Sequence, residues 1–241
     1  MPDTVVLLHG FAGTGHAWDA VVERLDGERY RALTPDIRGH GASAARRPIT
    51  FEACVADALA CAPRRFDLCG YSMGGRLALH VALAAPDRVR RLVLVSATAG
   101  IDDAAARAAR RQADERLAHE IEDGSIGSFA ERWLAQPMFA GEGPQAEALA
   151  RADIARNEPH ALAAALRGIG TGQMEPLWGR LAELATIEVL VVTGERDAKF
   201  TAIGARMVTA IPGARAVTLE VAGHALPREA PQALAQVIAA A

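Results

Sequence analysis

Three residues of this chain have the types and the order needed for serine-based acid–base chemistry. Ser72 stands in Gly70-Tyr71-Ser72-Met73-Gly74, Asp197 in Gly194-Glu195-Arg196-Asp197, and His224 in Ala222-Gly223-His224. A serine hydroxyl is a weak base and a weak nucleophile at neutral pH. It gains either character when an imidazole accepts its proton and a carboxylate holds that imidazole in the right tautomer. The chain order serine, acid, histidine is one of the known orders for such a triad. A developing oxyanion needs two backbone N–H donors. One belongs to the residue after the serine, Met73, and the other to the loop after the first strand, where Phe11 of His9-Gly10-Phe11 fits.

Gly-x-Ser-x-Gly is short enough to arise by chance, so the elements around it decide its weight. Residues 65–69 read as a strand directly before Ser72, and residues 76–85 as a helix directly after it, stopped by Pro86. So sharp a strand-turn-helix crowds the backbone at the flanking positions, which accounts for the glycines. Asp197 follows the apolar strand 188–193 and His224 the strand 216–221. Both therefore fall at C-terminal strand ends, where open α/β sheets place their sites. His119 and His160 have no strand before them and His80 lies inside a helical stretch, so all three read as surface or packing residues. Glu195 is the competing acid, disfavoured by its earlier position.

Strands at 4–8 and 31–34 and helices at 16–25 and 51–61 precede the serine; a strand at 91–95 follows it. After residue 193 come a helix at 203–211, the strand 216–221 and a final helix at 231–241. Such alternation requires crossover connections, hence a mostly parallel sheet of about six strands with helices on both faces. Residues 100–185 carry only helical stretches punctuated by glycine. They read as a helical cap inserted into an α/β core made of residues 1–99 and 186–241.

Composition limits the remaining possibilities. At 241 residues, with 51% hydrophobic and 23% charged, the chain has the profile of a soluble globular protein. A net charge of −3 gives no sign of a nucleic-acid partner. No apolar run is long enough to span a bilayer, and a cytoplasmic location is the expectation. Cys54, Cys61 and Cys69 have no Cys-x-x-Cys spacing, so neither a zinc site nor a disulfide framework is indicated. Lys199 is the only lysine among 26 basic residues. That skew lowers the weight of any single arginine.

Taken together, His9-Gly10-Phe11, Asp36-Ile37-Arg38-Gly39-His40-Gly41, the serine turn, Asp197 and His224 resemble the α/β-hydrolase superfamily over nearly the whole chain. More narrowly, the chain resembles the MenH family, the 2-succinyl-6-hydroxy-2,4-cyclohexadiene-1-carboxylate synthases of menaquinone biosynthesis. The likeness lies in HGFAGTGHAW (9–18), GYSMGGR (70–76), RWLAQPMF (132–139), GTGQMEPLW (170–178) and GERDAKF (194–200). It implies an elimination of pyruvate from a small substrate with three carboxylates, using no cofactor and no metal, with Ser72 acting as a base. It also implies substrate contacts at Arg76, Arg110 and Arg156, and a pocket lined by Tyr71 and Trp133. Arginine suits such a substrate because its planar fork pairs bidentately with carboxylate. The stretch 101–185 nevertheless holds nine basic and fourteen acidic residues, so any positive field must be local.

Two positions depart from the pattern: Leu134 stands where some members have a tyrosine, and the apolar Ala225-Leu226-Pro227 follows His224. A carboxylesterase or carbon–carbon bond hydrolase would use the same triad, and a non-catalytic binding module on the same fold would need none of it.

Overall fold

The computed structural model describes residues 2–240. Six strands, β1 (Asp3–Leu8), β2 (Tyr30–Leu33), β3 (Phe66–Tyr71), β4 (Val89–Val95), β5 (Glu188–Gly194) and β6 (Arg215–Leu219), form one sheet in the order β2-β1-β3-β4-β5-β6. Every neighbouring pair is parallel. In chain order the helices are α1 (Asp19–Val22), α2 (Phe51–Cys61), α3 (Met73–Ala84), α4 (Ala104–Glu122), α5 (Ile126–Leu134), α6 (Pro144–Ile154), α7 (Pro159–Ile169), α8 (Ala198–Ala210), α9 (Leu226–Glu229) and α10 (Pro231–Ala239). The expected final helix is present over α10; residue 241 lies outside the described residues.

Side chains alternate across each strand, so every inner strand supplies two apolar faces. Val6, Leu8, Leu68, Leu92, Leu94 and Val191 pack under α2, α3 and α8. Val5, Leu7, Cys69, Val93, Val95 and Val192 pack on the other face, against Val21 of α1, Leu226 of α9 and Leu234 and Ile238 of α10. Burial on both faces is why these strands read as continuous apolar runs rather than alternating ones.

The strand order matters for the site. From β1 the chain moves outward to β2 and then returns to place β3 on the other side of β1. At such a switch point the loops leaving neighbouring strands diverge and open a crevice at the C-terminal edge. Leu8, the last residue of β1, is in register with Gly70, so the loop at residues 9–14 and the turn at Ser72 leave the sheet side by side.

Two local expectations change. The helix after the serine begins at Met73 rather than residue 76, because Ser72 alone makes the turn. In place of one helix over 16–25 there is a 3-10 turn, Gly15–Trp18, followed by the single turn of α1. Gly15 is bound to Asp36 Oδ1 through its N–H at 2.7 Å and lies too close to the Thr34 carbonyl for any Cβ, which ties this stretch to the end of β2.

Between β4 and β5 the chain forms α4, α5, α6 and α7. Ala118 and Ile121 of α4, Phe129 of α5, Ile154 of α6 and Leu162 and Leu166 of α7 make a third apolar cluster, against which Phe11 packs. Asp103 caps α4 by accepting the Ala106 N–H at 2.7 Å, and Ser125 with Ser128 forms a capping box at α5.

Candidate active site

The turn at Ser72 is strained in the way a nucleophile turn requires. Ser72 has φ 52° and ψ −106°, a backbone region that a residue with a side chain rarely occupies. The neighbouring glycines are sterically obligatory. A Cβ on Gly70 would lie 2.3 Å from the Gly74 carbonyl oxygen, and one on Gly74 would lie 2.1 Å from that of Leu8. The strain is held by β3 before the turn and by α3 directly after it.

Ser72 Oγ lies 3.2 Å from His224 Nε2, and His224 Nδ1 lies 2.6 Å from Asp197 Oδ2. An ionised carboxylate only accepts, so Nδ1 carries the proton and Nε2 is left to take one from the serine. Asp197 is fixed in turn as the cap of α8, where Oδ1 accepts the Phe200 N–H at 3.2 Å. The imidazole is walled by Phe200, with ring centroids 4.4 Å apart, and by Tyr71 at 5.5 Å. The apolar residues after His224 have a plain role: Ala225 and Leu226 are fully buried in the cluster behind the imidazole. Glu195 faces elsewhere, accepting the Val221 N–H, while His119 and His160 are exposed and His80 stacks on Phe51.

Met73 and Phe11 line the cavity beside Ser72. Among the described residues, no carbonyl or side-chain oxygen accepts the Met73 or Phe11 N–H. Met73 is the first residue of α3, where backbone donors are unpaired and the helix dipole favours negative charge. The loop carrying Phe11 is shaped by Ala12, at φ 63°, and closed by the Gly13 N–H donating to Gly10.

Above the serine lies a cavity of about 760 Å³, walled by the ends of the strands, by α4, by α7 and by residues 133–139. Arg76, one turn beyond Ser72, is 6% exposed, and its Nη1 donates to the Ile169 carbonyl at 2.8 Å. Burial pulls its pKa down to about 10, with the nearby Arg110 adding to the shift and Asp114 opposing it. It therefore stays charged at neutral pH, without a hydrogen-bonded carboxylate of its own among the described residues. Arg110 also faces the cavity, held by Asp114 at 2.7 Å; Asp114 additionally accepts the Gly172 N–H. Trp133 lines the wall, stacked on Phe129 and edge-on to Phe11 at 5.2 Å. Tyr71 lines the floor, and burial pushes its phenol up. Leu134 is half-buried in the neighbouring apolar packing.

The chain belongs to the α/β-hydrolase family. The model of that family matches residues 5–237. A putative 2-succinyl-6-hydroxy-2,4-cyclohexadiene-1-carboxylate synthase of Bacillus subtilis is 33% identical, over 98% of this chain and 89% of that protein. The solved structure of MenH from S. aureus superposes with a TM-score of 0.93 at 29% identity, covering 99% of this chain and 92% of that one. A pimeloyl-[acyl-carrier protein] methyl ester esterase of Nitrosomonas europaea is 34% identical over 93% of this chain and 89% of its own length.

Arg156 is a correction to the sequence reading. It is exposed just beyond α6 and does not line the cavity. The inward positions beside it are taken by Asp153 and Asn157, which hold the Phe11 loop. Thr14 donates its backbone N–H to Asp153 Oδ2 at 2.9 Å and its hydroxyl to Oδ1, and Asn157 Nδ2 donates to the Ala12 carbonyl at 2.9 Å. The sequence carries no signal for these two contacts, since some 140 residues separate the partners. Glu229 was missed as well. Its carboxylate accepts the N–H groups of Gly223 and Ala225, both at 2.9 Å, and so grips the backbone on either side of His224. Arg196 completes it at 2.7 Å.

No group of three or more histidine, cysteine, aspartate or glutamate side chains among the described residues is arranged to hold a metal. No described helix is long and apolar enough to cross a membrane.

Proposed function

We propose that this chain is a cofactor-independent carbon–oxygen lyase of the menaquinone pathway. In this reading it converts 2-succinyl-5-enolpyruvyl-6-hydroxy-3-cyclohexene-1-carboxylate into 2-succinyl-6-hydroxy-2,4-cyclohexadiene-1-carboxylate and pyruvate. The observation that carries it is Arg76: a buried guanidinium in the cavity wall, one turn from Ser72, with no hydrogen-bonded carboxylate among the described residues. A neutral ester gives no reason to keep such a charge out of water, whereas a substrate with three carboxylates supplies its missing partner. The kinship with the Bacillus subtilis protein points the same way.

The chemistry runs as follows. Ser72 passes its proton to His224 Nε2, with Asp197 stabilising the imidazolium, and the serine oxygen removes the ring proton next to the succinyl carbonyl. Negative charge on that carbonyl is met by the Phe11 and Met73 N–H groups. The electron pair moves through the ring double bond and breaks the carbon–oxygen bond to the enolpyruvyl group. His224 returns its proton to the departing oxygen, and enolpyruvate becomes pyruvate. Ser72 retains the ring proton, so serine and imidazole end as they began. Arg76 and Arg110 orient the carboxylates, while α4, α5, α6 and α7, within residues 100–185, act as the cap that closes the cavity over residues 1–99 and 186–241.

Purified protein given the enolpyruvyl substrate is expected to release pyruvate well above the spontaneous rate and to lose this activity in Ser72→Ala. Turnover no faster than the spontaneous reaction defeats the reading. The second reading is ester hydrolysis by the same triad, favoured by the likeness to the Nitrosomonas europaea esterase. It predicts fast cleavage of neutral aryl esters that is indifferent to Arg76→Ala.

A further inference from the structure

Four cationic side chains line the cavity, and they differ in what holds them. Arg76 binds a backbone carbonyl and Arg110 binds Asp114. Arg206 is ion-paired with Asp102, and its guanidinium carbon lies over Trp178, 3.6 Å from the ring centroid. Lys199 is the fourth. It is exposed, and its ammonium sits 5.6 Å from the centroid of the Phe200 ring that packs on His224. Among the described residues, no carboxylate or hydrogen-bond acceptor holds it.

The composition of the chain adds an independent observation. Lys199 is the only lysine beside 25 arginines. Wherever this chain places a positive charge for solubility or for a surface ion pair it uses arginine, so neither need explains a lysine at this one position. The two side chains differ physically: a guanidinium is a planar fork that settles onto aromatic faces, as Arg206 does, while an ammonium is a compact charge with three donors at one point. Beside Phe200, an arginine would lay its planar fork on the ring. The Lys199 ammonium also lies over that ring, 5.6 Å from its centroid, but it leaves three N–H donors for a ligand in the cavity.

We propose that Lys199 is the anion contact on the His224 side of Ser72. Its ammonium receives one carboxylate of the bound substrate, while Arg76 and Arg110, which line the same cavity, receive the others. This assignment rests on the reading of the cavity as a site for the enolpyruvyl tricarboxylate. Lys199 acts through charge and position and transfers no proton.

The test compares wild type, Lys199→Met and Lys199→Arg in pyruvate release from low to high ionic strength. Because the ammonium is exposed, its contact with a carboxylate is modest, and Lys199→Met is expected to raise KM about fivefold. The loss falls mainly on KM, and the salt dependence of kcat/KM flattens because one attractive charge is gone. Lys199→Arg restores the salt dependence while KM stays above wild type. An unchanged KM and salt dependence in Lys199→Met overturns the proposal, and a Lys199→Arg enzyme equal to wild type overturns the need for an ammonium. If wild-type protein releases no pyruvate, the activity reading has failed, and the lysine is then tested by titration with citrate. The same weakening in Lys199→Met supports the anion contact, and equal Kd values overturn it.

Discussion

Replacing Arg76 with methionine separates binding from folding, because burial affects the two in opposite directions. The guanidinium is 6% exposed, and the cavity wall lowers its pKa from 12.5 to about 10. At about 1.4 kcal/mol per pKa unit, burial, with Arg110 beside it, penalises the cation by about 3 kcal/mol. Methionine removes that penalty and retains most of the apolar volume, but it gives up the charge-assisted bond to the Ile169 carbonyl, worth about 2 kcal/mol. The folded state should therefore lose nothing and gain about 1 kcal/mol, raising Tm by about 2–4 °C for a chain of this size. Substrate binding responds with the other sign. A buried carboxylate deprived of its charge-assisted partner loses about 3 kcal/mol, roughly a hundredfold in kcat/KM. Differential scanning calorimetry of the free enzyme and steady-state pyruvate release measure the two quantities on one preparation. A lower Tm together with a loss of kcat/KM below fivefold would refute the reasoning, since Arg76 would then be a structural residue without a ligand.

Asp197→Asn leaves the shape of the triad intact but favours the wrong imidazole tautomer, and kcat should fall by about three orders of magnitude with circular dichroism unchanged. Glu229→Gln puts an amide where two backbone N–H groups and Arg196 converge. The loss of about 2 kcal/mol should lower Tm by about 4–8 °C, measured by thermal unfolding. His80 is held neutral by burial and by Arg76, with its pKa lowered from 6.5 to about 4. The unfolded chain therefore binds a proton that the folded chain refuses. Stability from this group is full above pH 6.5 and is lost as the pH falls toward 4, so His80→Phe should flatten the pH dependence of the urea midpoint across that window.

The serine turn was legible because its residues lie together in the chain. Gly70 is confined by the Gly74 carbonyl four positions on; Gly74 is confined by the carbonyls of Leu8 and His9 at the end of β1, yet its glycine stands in the same short motif. Asp197 and His224 were legible for a related reason: each follows an apolar strand, and parallel strands deliver their ends to one edge of the sheet. The cap arginines were not legible in this way. Arg107, Arg110 and Arg111 share a helix and a chemistry, yet Arg107 turns back to the Ile101 carbonyl, Arg111 is exposed, and Arg110 faces the cavity.

By itself, then, the sequence determined the sheet, the strained serine and the order of the triad, because backbone sterics and apolar patterning act over short stretches of chain. Only the tertiary structure decided which charges face the cavity. It turned Arg156 outward, brought Asp153 and Asn157 to the Phe11 loop, folded Glu229 under His224 and set Lys199 over Phe200 in the cavity wall, with no carboxylate partner among the described residues. Most of those outcomes depend on how segments far apart in the chain pack, and Glu229 depends on the shape of the turn around His224. Helical spacing and residue type do not encode either.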